Sequence, residues 1–317
     1  MGKIKKISTA GMSRPEWLEM RRNSIGGSDA AAIVGISKWS TPMTVWADKT
    51  GRLPDKPDSE AMRIGRDLED YVSRRWMEET GKRAHRVNAM LYNQDYPFAH
   101  ADIDRAVSGE SAGLECKTTS DLDIKQFKDV EFPEKYYVQC VHYLAVTGFD
   151  RWYLAVLVFG RGFNTFTLER DEAEIQALME AERSFWELVQ SDTPPAPDGK
   201  QPTADALETI YHSAADAQTV QLFGRESLLR EWSGIRTQMD ALKERKTEIE
   251  NILKLDMKEA ERAECIGYRV SWKRQARRNF QTERFREDHS ELDLTPYIKE
   301  TETRVFRIAE DKEETQK

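Results

Sequence analysis

The stretch Ala101-Asp102-Ile103-Asp104-Arg105, followed after a turn rich in Ser and Gly by Gly113-Leu114-Glu115-Cys116-Lys117, decides how the chain is read. Residues two apart on a strand share a face. Glu115 and Lys117 therefore point the same way and Cys116 points into the core, while Asp104 falls at the end of a neighbouring strand. Two carboxylates converging beside a backbone carbonyl suit Mg²⁺, which takes oxygen ligands and keeps several waters. The Cys116 carbonyl, lying between Glu115 and Lys117, is the natural third protein ligand. Lys117 would orient an attacking water or stabilise charge on a phosphate, and the metal would acidify that water and bind the phosphate oxygen. By itself a D…ExK match reads more often as an exposed hairpin with ordinary salt bridges. The surrounding pattern decides between the two.

Upstream, residues 61–80 carry apolar residues at helical spacing (Ile64, Leu68, Tyr71, Val72, Trp76), with Glu69 as a further acidic group on that helix. Downstream, residues 135–146 read as a helix bearing Tyr136 and Gln139, the latter able to bind phosphate or water. Residues 91–92, 98–103 and 113–117 read as strands. Residues 153–159 form a continuous apolar run, as in a strand buried on both faces. Residues 163–168 are its hairpin partner across Gly160-Arg161-Gly162, and a helix follows over 171–189.

Near the N-terminus, Ser13 and Glu16 form a capping box for a short helix through Trp17, Leu18 and Met20. Arg21 lies four residues after Trp17, in the same region of that helix face. Gly26-Gly27 follow, and Ser28 opens a second apolar helix. Glycines let the backbone approach closely, and helix N-termini favour anions. Arg21, Ser28 and the Gly27 backbone thus suit a terminal phosphate. The plainer alternative is an N-cap serine and a surface arginine; Arg22 is a weaker candidate. Trp39 and Trp46, nearby, read as core residues rather than base-stacking groups. His85, His100, His142, His212 and His289 show no metal-ligand spacing, and His142 reads as a helix-packing residue.

Taken together, Trp17…Arg21…Ile25-Gly26-Gly27-Ser28-Asp29-Ala30, Gly65…Glu69, Asp104…Leu114-Glu115-Cys116-Lys117 and Tyr136…Gln139…His142-Tyr143-Leu144 resemble the YqaJ-type viral recombinases and the lambda exonuclease family. The resemblance covers residues 13–190. It implies an α/β fold of the PD-(D/E)XK nuclease type, a central mixed sheet flanked by helices. It implies processive 5′-to-3′ digestion of linear double-stranded DNA, leaving 3′ single strands for recombination by annealing. Carried over by motif position, Asp104, Glu115 and Lys117 form the catalytic core, with Tyr136 and Gln139 beside them. Mg²⁺, with Mn²⁺ as a substitute, would be held by Asp104, Glu115 and the Cys116 carbonyl, with Glu69 reaching it through water. Arg21, Ser28 and Gly27 would bind the 5′-phosphate. Asp102 departs from the family pattern, where a small or polar residue stands, and is an alternative ligand to Asp104. The resemblance further implies a trimeric ring threaded by DNA ends, a single-strand annealing protein as partner, and a phage or prophage origin.

The 317 residues are 39% hydrophobic and 33% charged, enough for one large domain or a domain with an appendage. No apolar run is long enough to span a bilayer, and residues 1–9 lack the apolar stretch of a secretory signal. An intracellular, cytoplasmic protein with no membrane partner is expected, and the resemblance implies that the cell is a bacterial host. The net charge of −8 argues mildly against nucleic-acid binding, unless the basic residues are confined to a channel. Cys116, Cys140 and Cys265 are far apart and read as buried thiols, excluding a disulfide framework or a four-cysteine cluster.

The proline-rich residues 191–202 read as a linker between a nuclease domain at 13–190 and a C-terminal region at 203–317. In that region Leu228, Ile235, Leu242 and Ile249 fall at heptad spacing, as do Trp232, Met239 and Leu253, with Lys246 interrupting the second series. An amphipathic helix folded back on its own domain and an oligomerising coil both remain open. Residues 267–272 and 304–308 read as strands, with basic residues at Lys273, Arg274, Arg277 and Arg278. Two other functions compete with the exonuclease. One is an endonuclease or structure-specific nuclease of the same fold, although a Cas4-like member would need the missing cysteine cluster. The other is a non-catalytic DNA-binding scaffold, against which the intact Asp104, Glu115 and Lys117 argue.

Overall fold

A computed structural model of the chain describes residues 2–55, 57–120, 132–213, 219–300 and 304–309. The chain divides into two compact units, 1–213 and 214–317.

The first unit holds two sheets. A five-stranded sheet runs in the order β3 (Ala84–Arg86), β6 (Arg105–Val107), β7 (Ala112–Thr119), β8 (Arg151–Val158), β9 (Gly162–Glu169). A four-stranded sheet runs in the order β1 (Ile4–Ser8), β4 (Ala89–Asn93), β5 (Ala99–Asp102), β2 (Ile25–Gly26). Both are mixed: β7 is parallel to β8 and β2 to β5, and the other pairs are antiparallel. The expected central sheet is therefore split in two. The chain passes from one part to the other at Ile103-Asp104, where β5 stops pairing with β4 and β6 starts pairing with β7. This break puts Asp104 at the junction.

Parallel pairing needs a long crossover connection. Between β7 and β8 the chain includes α5 (Glu134–Thr147), buried on every side from Cys140 to Thr147. It packs with α2 (Gly27–Ile33), α3 (Pro42–Lys49) and α6 (Glu172–Gln190) around Trp46, Leu144, Trp152, Ile175 and Met179. On the other side α4 (Glu60–Thr80) lays Val72 and Trp76 against Leu114, Tyr153 and Ala155. Gly81, with φ +70°, ends α4 in the left-handed region that an L side chain resists. β8 is buried over most of its length, as its continuous apolar run predicts. The capping box of α1 (Arg14–Arg22) is present, with Ser13 N–H donating to Glu16 at 2.8 Å.

The expected boundaries need correction. β1 pairs with β4, so the first unit begins before residue 13. The proline-rich segment is not a linker between units. Pro195 is buried, Lys200 Nζ donates to the Gly35 carbonyl at 2.6 Å, and α7 (Gln201–Ile210) docks Thr203 on Thr41 and buries Ala206. A segment rich in proline can be an ordered strap when its neighbours offer carbonyls and a small apolar socket.

In the second unit the heptad region is one helix, α8 (Glu226–Met257), followed by a hairpin of β10 (Arg262–Cys265) and β11 (Tyr268–Ser271) and a short α9 (Thr282–Asp288). Residues 304–309, read above as a strand, have no strand partner among the described residues. Cys265 is exposed, not buried, because this hairpin covers no core; Cys140 is buried as expected, and Cys116 is half-buried. The basic residues at 273–278 lie in exposed irregular chain.

Gly113 faces Trp152 across the parallel β7–β8 pair, and a Cβ there would overlap the buried indole ring. Gly113→Ala should destabilise the first unit by about 1–3 kcal/mol through overpacking, read as a lower urea midpoint at unchanged slope; an unchanged midpoint would show that the ring can yield.

Candidate active site

The β5–β6 junction and the C-terminal half of β7 build one constellation. Beyond Leu114, β7 has no β6 partner. The edge so freed is taken by Asp104, whose carboxylate accepts the Cys116 N–H at 2.8 Å. In a strand the N–H and C=O of one residue point to the same edge, so the Cys116 carbonyl faces the side where Asp104 stands. Glu115 is 2% exposed, and Lys117, on the same face, places Nζ 2.6 Å from Glu115 Oε1. The same oxygen accepts the Gln139 amide at 2.9 Å, while Glu115 Oε2 is buried without a hydrogen-bond partner.

Electrostatics follow from this crowding. Burial, with the Glu115 and Glu69 charges, pushes the Asp104 carboxyl well above the ordinary carboxylate range. Burial also raises Glu115, although Lys117 pulls it back. Burial alone would lower Lys117, but the Glu115 and Asp104 charges outweigh it and hold the ammonium above its usual range. Two carboxyls raised by desolvation and mutual repulsion, with one buried oxygen unpartnered, make a site that a divalent cation would complete. Among the described residues no group of three or more His, Cys, Asp or Glu side chains is placed to hold a metal. The donor set is thus two carboxylates and a carbonyl, which fits an ion that retains waters better than one caged by protein.

The other acidic candidates are engaged elsewhere. Glu69 pairs with Arg105, a buried arginine that also binds Asp70 and donates to the Asp104 carbonyl at 2.8 Å. Asp102 accepts the Trp17 indole N–H at 2.8 Å on one of its two carboxylate oxygens. Gln139, read above as free for phosphate or water, gives its amide nitrogen to Glu115 and to the Tyr143 hydroxyl at 2.8 Å. Tyr136 has its ring centre 5.8 Å from Lys117 Nζ. Arg105 and Tyr143 escaped the sequence reading. Arginine directly after Asp104 was the available signal for the first, and the place of Tyr143 in the His142-Tyr143-Leu144 stretch of the motif was the signal for the second.

Arg21 and Ser28 do meet: Nη2 donates to the Ser28 hydroxyl at 2.6 Å, with Arg21 stacked over Trp17 at 4.5 Å. Ser28 is exposed and Arg21 half-buried. Ser28 is not the N-cap. Gly26 takes that position, its N–H bonded by Asp29 at 3.0 Å. Asp29 is in turn held by the buried Lys49 at 2.8 Å. Burial would raise Asp29, yet Lys49 and Arg21 hold it far below the usual range. Gly27 lies so close to α5 that a Cβ would come within 2.6 Å of the Tyr143 ring and 3.2 Å of Gln139. Through Gln139 and Tyr143 the Arg21–Ser28 pair is packed onto the Glu115 site. Trp46 is core, as read, whereas Trp39 is 88% exposed.

Behind both lies a buried histidine pair. His142 bonds Glu182 at 2.8 Å and the His100 carbonyl at 2.9 Å, and His100 bonds Ser24 at 2.8 Å. His142 is thus a packing residue with an ionic partner.

This sheet, with its Asp, Glu and Lys set, is that of the PD-(D/E)XK nuclease fold. The solved structure of LHK-Exo in complex with dAMP superposes with a TM-score of 0.50 at 19% identity, covering 56% of this chain and 93% of that one. An alkaline exonuclease structure of the same name from Laribacter hongkongensis gives 0.49 at 19%, with the same coverage. Residues 16–150 match the model of the YqaJ-like viral recombinase domain. The "Uncharacterized protein YqaJ" of Bacillus subtilis (strain 168) is 36% identical over 304 residues, 94% of this chain and 95% of that protein. The chain belongs to the YqaJ-like viral recombinase family. Among the described residues no helix is long and apolar enough to cross a membrane.

Burial lowers the His142 imidazole, but the Glu182 carboxylate beside it prevails, and the net shift is upward from 6.5. A raised histidine adds stability that is complete below its unfolded value and is lost as pH rises through its folded value. The stability advantage of the wild type over Glu182→Gln should therefore be largest below pH 6.5 and shrink above it, in thermal midpoints taken across that range. An advantage that grows with pH would mean the pair is not ionic.

Proposed function

We propose that this protein is a metal-dependent deoxyribonuclease that digests linear double-stranded DNA from 5′ ends and leaves 3′ single strands for recombination by annealing. Family membership, the nuclease fold and the Asp104–Glu115–Lys117 set support the reading. The observation that carries it is the buried, mutually repelling pair Asp104 and Glu115 beside a lysine.

Asp104, Glu115 and the Cys116 carbonyl would hold Mg²⁺, with Glu69, fixed by Arg105, reaching it through water; Mn²⁺ would serve in its place. Bound there, the ion would supply a polarised phosphate and an acidified water. Lys117 keeps its proton beside two carboxylates. It therefore acts as a fixed positive charge and donor for the attacking water or the phosphate, not as a base. Gln139 fixes the rotamer of Glu115, so that its second oxygen stays directed into the site. Tyr136 closes the site on the Lys117 side.

Arg21 and Ser28 would hold the 5′-phosphate, with Gly27 letting the backbone approach. Their packing onto Gln139 and Tyr143 sets a fixed spacing from terminal phosphate to catalytic centre. That spacing favours an end-dependent enzyme over an endonuclease. The DNA end is the substrate, and a single-strand annealing protein and a trimeric ring are the proposed partner and assembly, in the cytoplasm of a bacterial host.

Linear duplexes with 5′-phosphate or 5′-hydroxyl ends, digested in Mg²⁺, test this directly. The phosphorylated strand should be lost faster and closed circles spared. Lys117→Ala should reduce cleavage at least a hundredfold, in the range seen for loss of one charge-stabilising group, with DNA binding retained. Arg21→Ala should level the two ends. Cutting of circles would point to an endonuclease, and no Mg²⁺-dependent loss by folded protein to a scaffold.

A further inference from the structure

Helix α8 runs 32 residues, yet of its side chains only Met257 is buried. Its apolar residues are not scattered. Leu228, Ile235, Leu242 and Ile249 recur every seven residues, and Trp232, Met239 and Leu253 fall four residues after members of that series, or three before the next. In heptad terms the first series occupies d and the second a, with Lys246 as the fourth a residue. The stripe is open: Leu242 is 69% exposed and Met239 64%. An exposed apolar face of this length marks an interaction site.

The residues flanking the stripe say what covers it. With a at Trp232, Met239 and Lys246, the g positions are Glu231, Gln238 and Arg245, and the e positions are Arg236, Lys243 and Glu250. In a parallel, in-register pair of identical helices, each g residue faces the e residue five positions on in its partner. Glu231 then meets Arg236, Gln238 meets Lys243, and Arg245 meets Glu250. Two contacts are opposite in charge, in opposite senses, and none is like-charged. Charges at e and g set partner choice and orientation, and a polar residue at one a position fixes register at a cost in stability. In register the two copies of Lys246 face each other, a polar layer that lowers stability while the layers at 232, 239 and 253 stay apolar. A slip of one heptad would instead bury each Lys246 against Met239 or Leu253 and break two layers rather than one. Some e and g charges already pair within the helix, as Arg245 with Glu248 at 2.6 Å and Lys246 with Glu250 at 3.3 Å. These are exposed pairs worth little, and free to exchange.

We propose that α8 is a self-association device: its a/d stripe pairs, parallel and in register, with the α8 of a second copy of this chain. Each copy brings its own first unit to the coil, so that two or more active sites are tethered together. The coil acts independently of the catalytic chemistry and does not require it.

Full-length protein carrying Cys265→Ser, to remove the exposed native thiol, supplies the test. Ile249→Cys in that background should cross-link to a disulfide-bonded pair on mild oxidation, because parallel copies share the residue 249 layer. An antiparallel alignment of the same four layers would set residue 249 against Trp232 instead. Leu255→Cys, equally on α8 but off the stripe, should cross-link much less. By light scattering, Leu242→Glu should lower the mass of the assembly or weaken it at least tenfold, with Leu255→Glu unchanged and helix content preserved in both. Exchange of charges by Glu231→Arg should weaken association, and adding Arg236→Glu should restore it. A wild type that is monomeric at all concentrations, or cross-linking no better at 249 than at 255, would overturn the proposal.

Discussion

The bond on which the site depends is the one from the Cys116 backbone N–H to the Asp104 carboxylate. It does two things at once. It satisfies a strand edge left open when β6 ends, and it anchors one acid at the seam between two sheets, beside the strand that presents the other. A buried carboxylate is costly unless its lone pairs are used. Here one acid is held by a backbone donor and the next by an amide and an ammonium. The second Glu115 oxygen is left buried without a hydrogen-bond partner.

Around this centre the fold supplies support in layers. Arg105 clamps Glu69, Asp70 and the Asp104 carbonyl, so the junction cannot easily straighten. On helix α5 Gln139, itself bonded to the Tyr143 hydroxyl, holds Glu115 from one side, and both side chains lie close to Gly27 on the other. The Arg21–Ser28 pair is therefore connected to Glu115 through packed side chains. Lys49 neutralises Asp29, which would otherwise repel an anion at that pair. Preorganisation of this kind, in side chains whose own rotamers are locked by packing, is what lets fixed charges act on a reacting phosphate.

Much of this was legible in the sequence because it rests on local rules. Alternation placed Glu115 and Lys117 on one face, helical spacing gave α4 and α5, and the capping box gave the start of α1. What failed rests on tertiary partners that no local pattern encodes. The two-residue strand β2 exists only because β5 lies beside it. The proline-rich segment 191–202 looked like a linker, yet Gly35, Ser37 and Thr41 offer it ordered partners. The alternative of Ser28 as a simple N-cap falls only in the fold, where Gly26 takes that position and donates its N–H to Asp29. Gln139 was read as able to bind phosphate or water; only the fold shows that its amide nitrogen donates to Glu115 and Tyr143. The D-x-D pattern gives no sign that Asp102 receives the Trp17 indole N–H while Asp104 receives the Cys116 backbone N–H.

Binding of Mn²⁺ by the full chain, followed by titration calorimetry in the absence of DNA, tests the central claim most directly. Saturable binding that is lost in Asp104→Asn and retained in Asp102→Asn is the result expected if Asp104 and Glu115 form the cation site. Binding that survives Asp104→Asn, or no saturable binding by folded wild type, would contradict it.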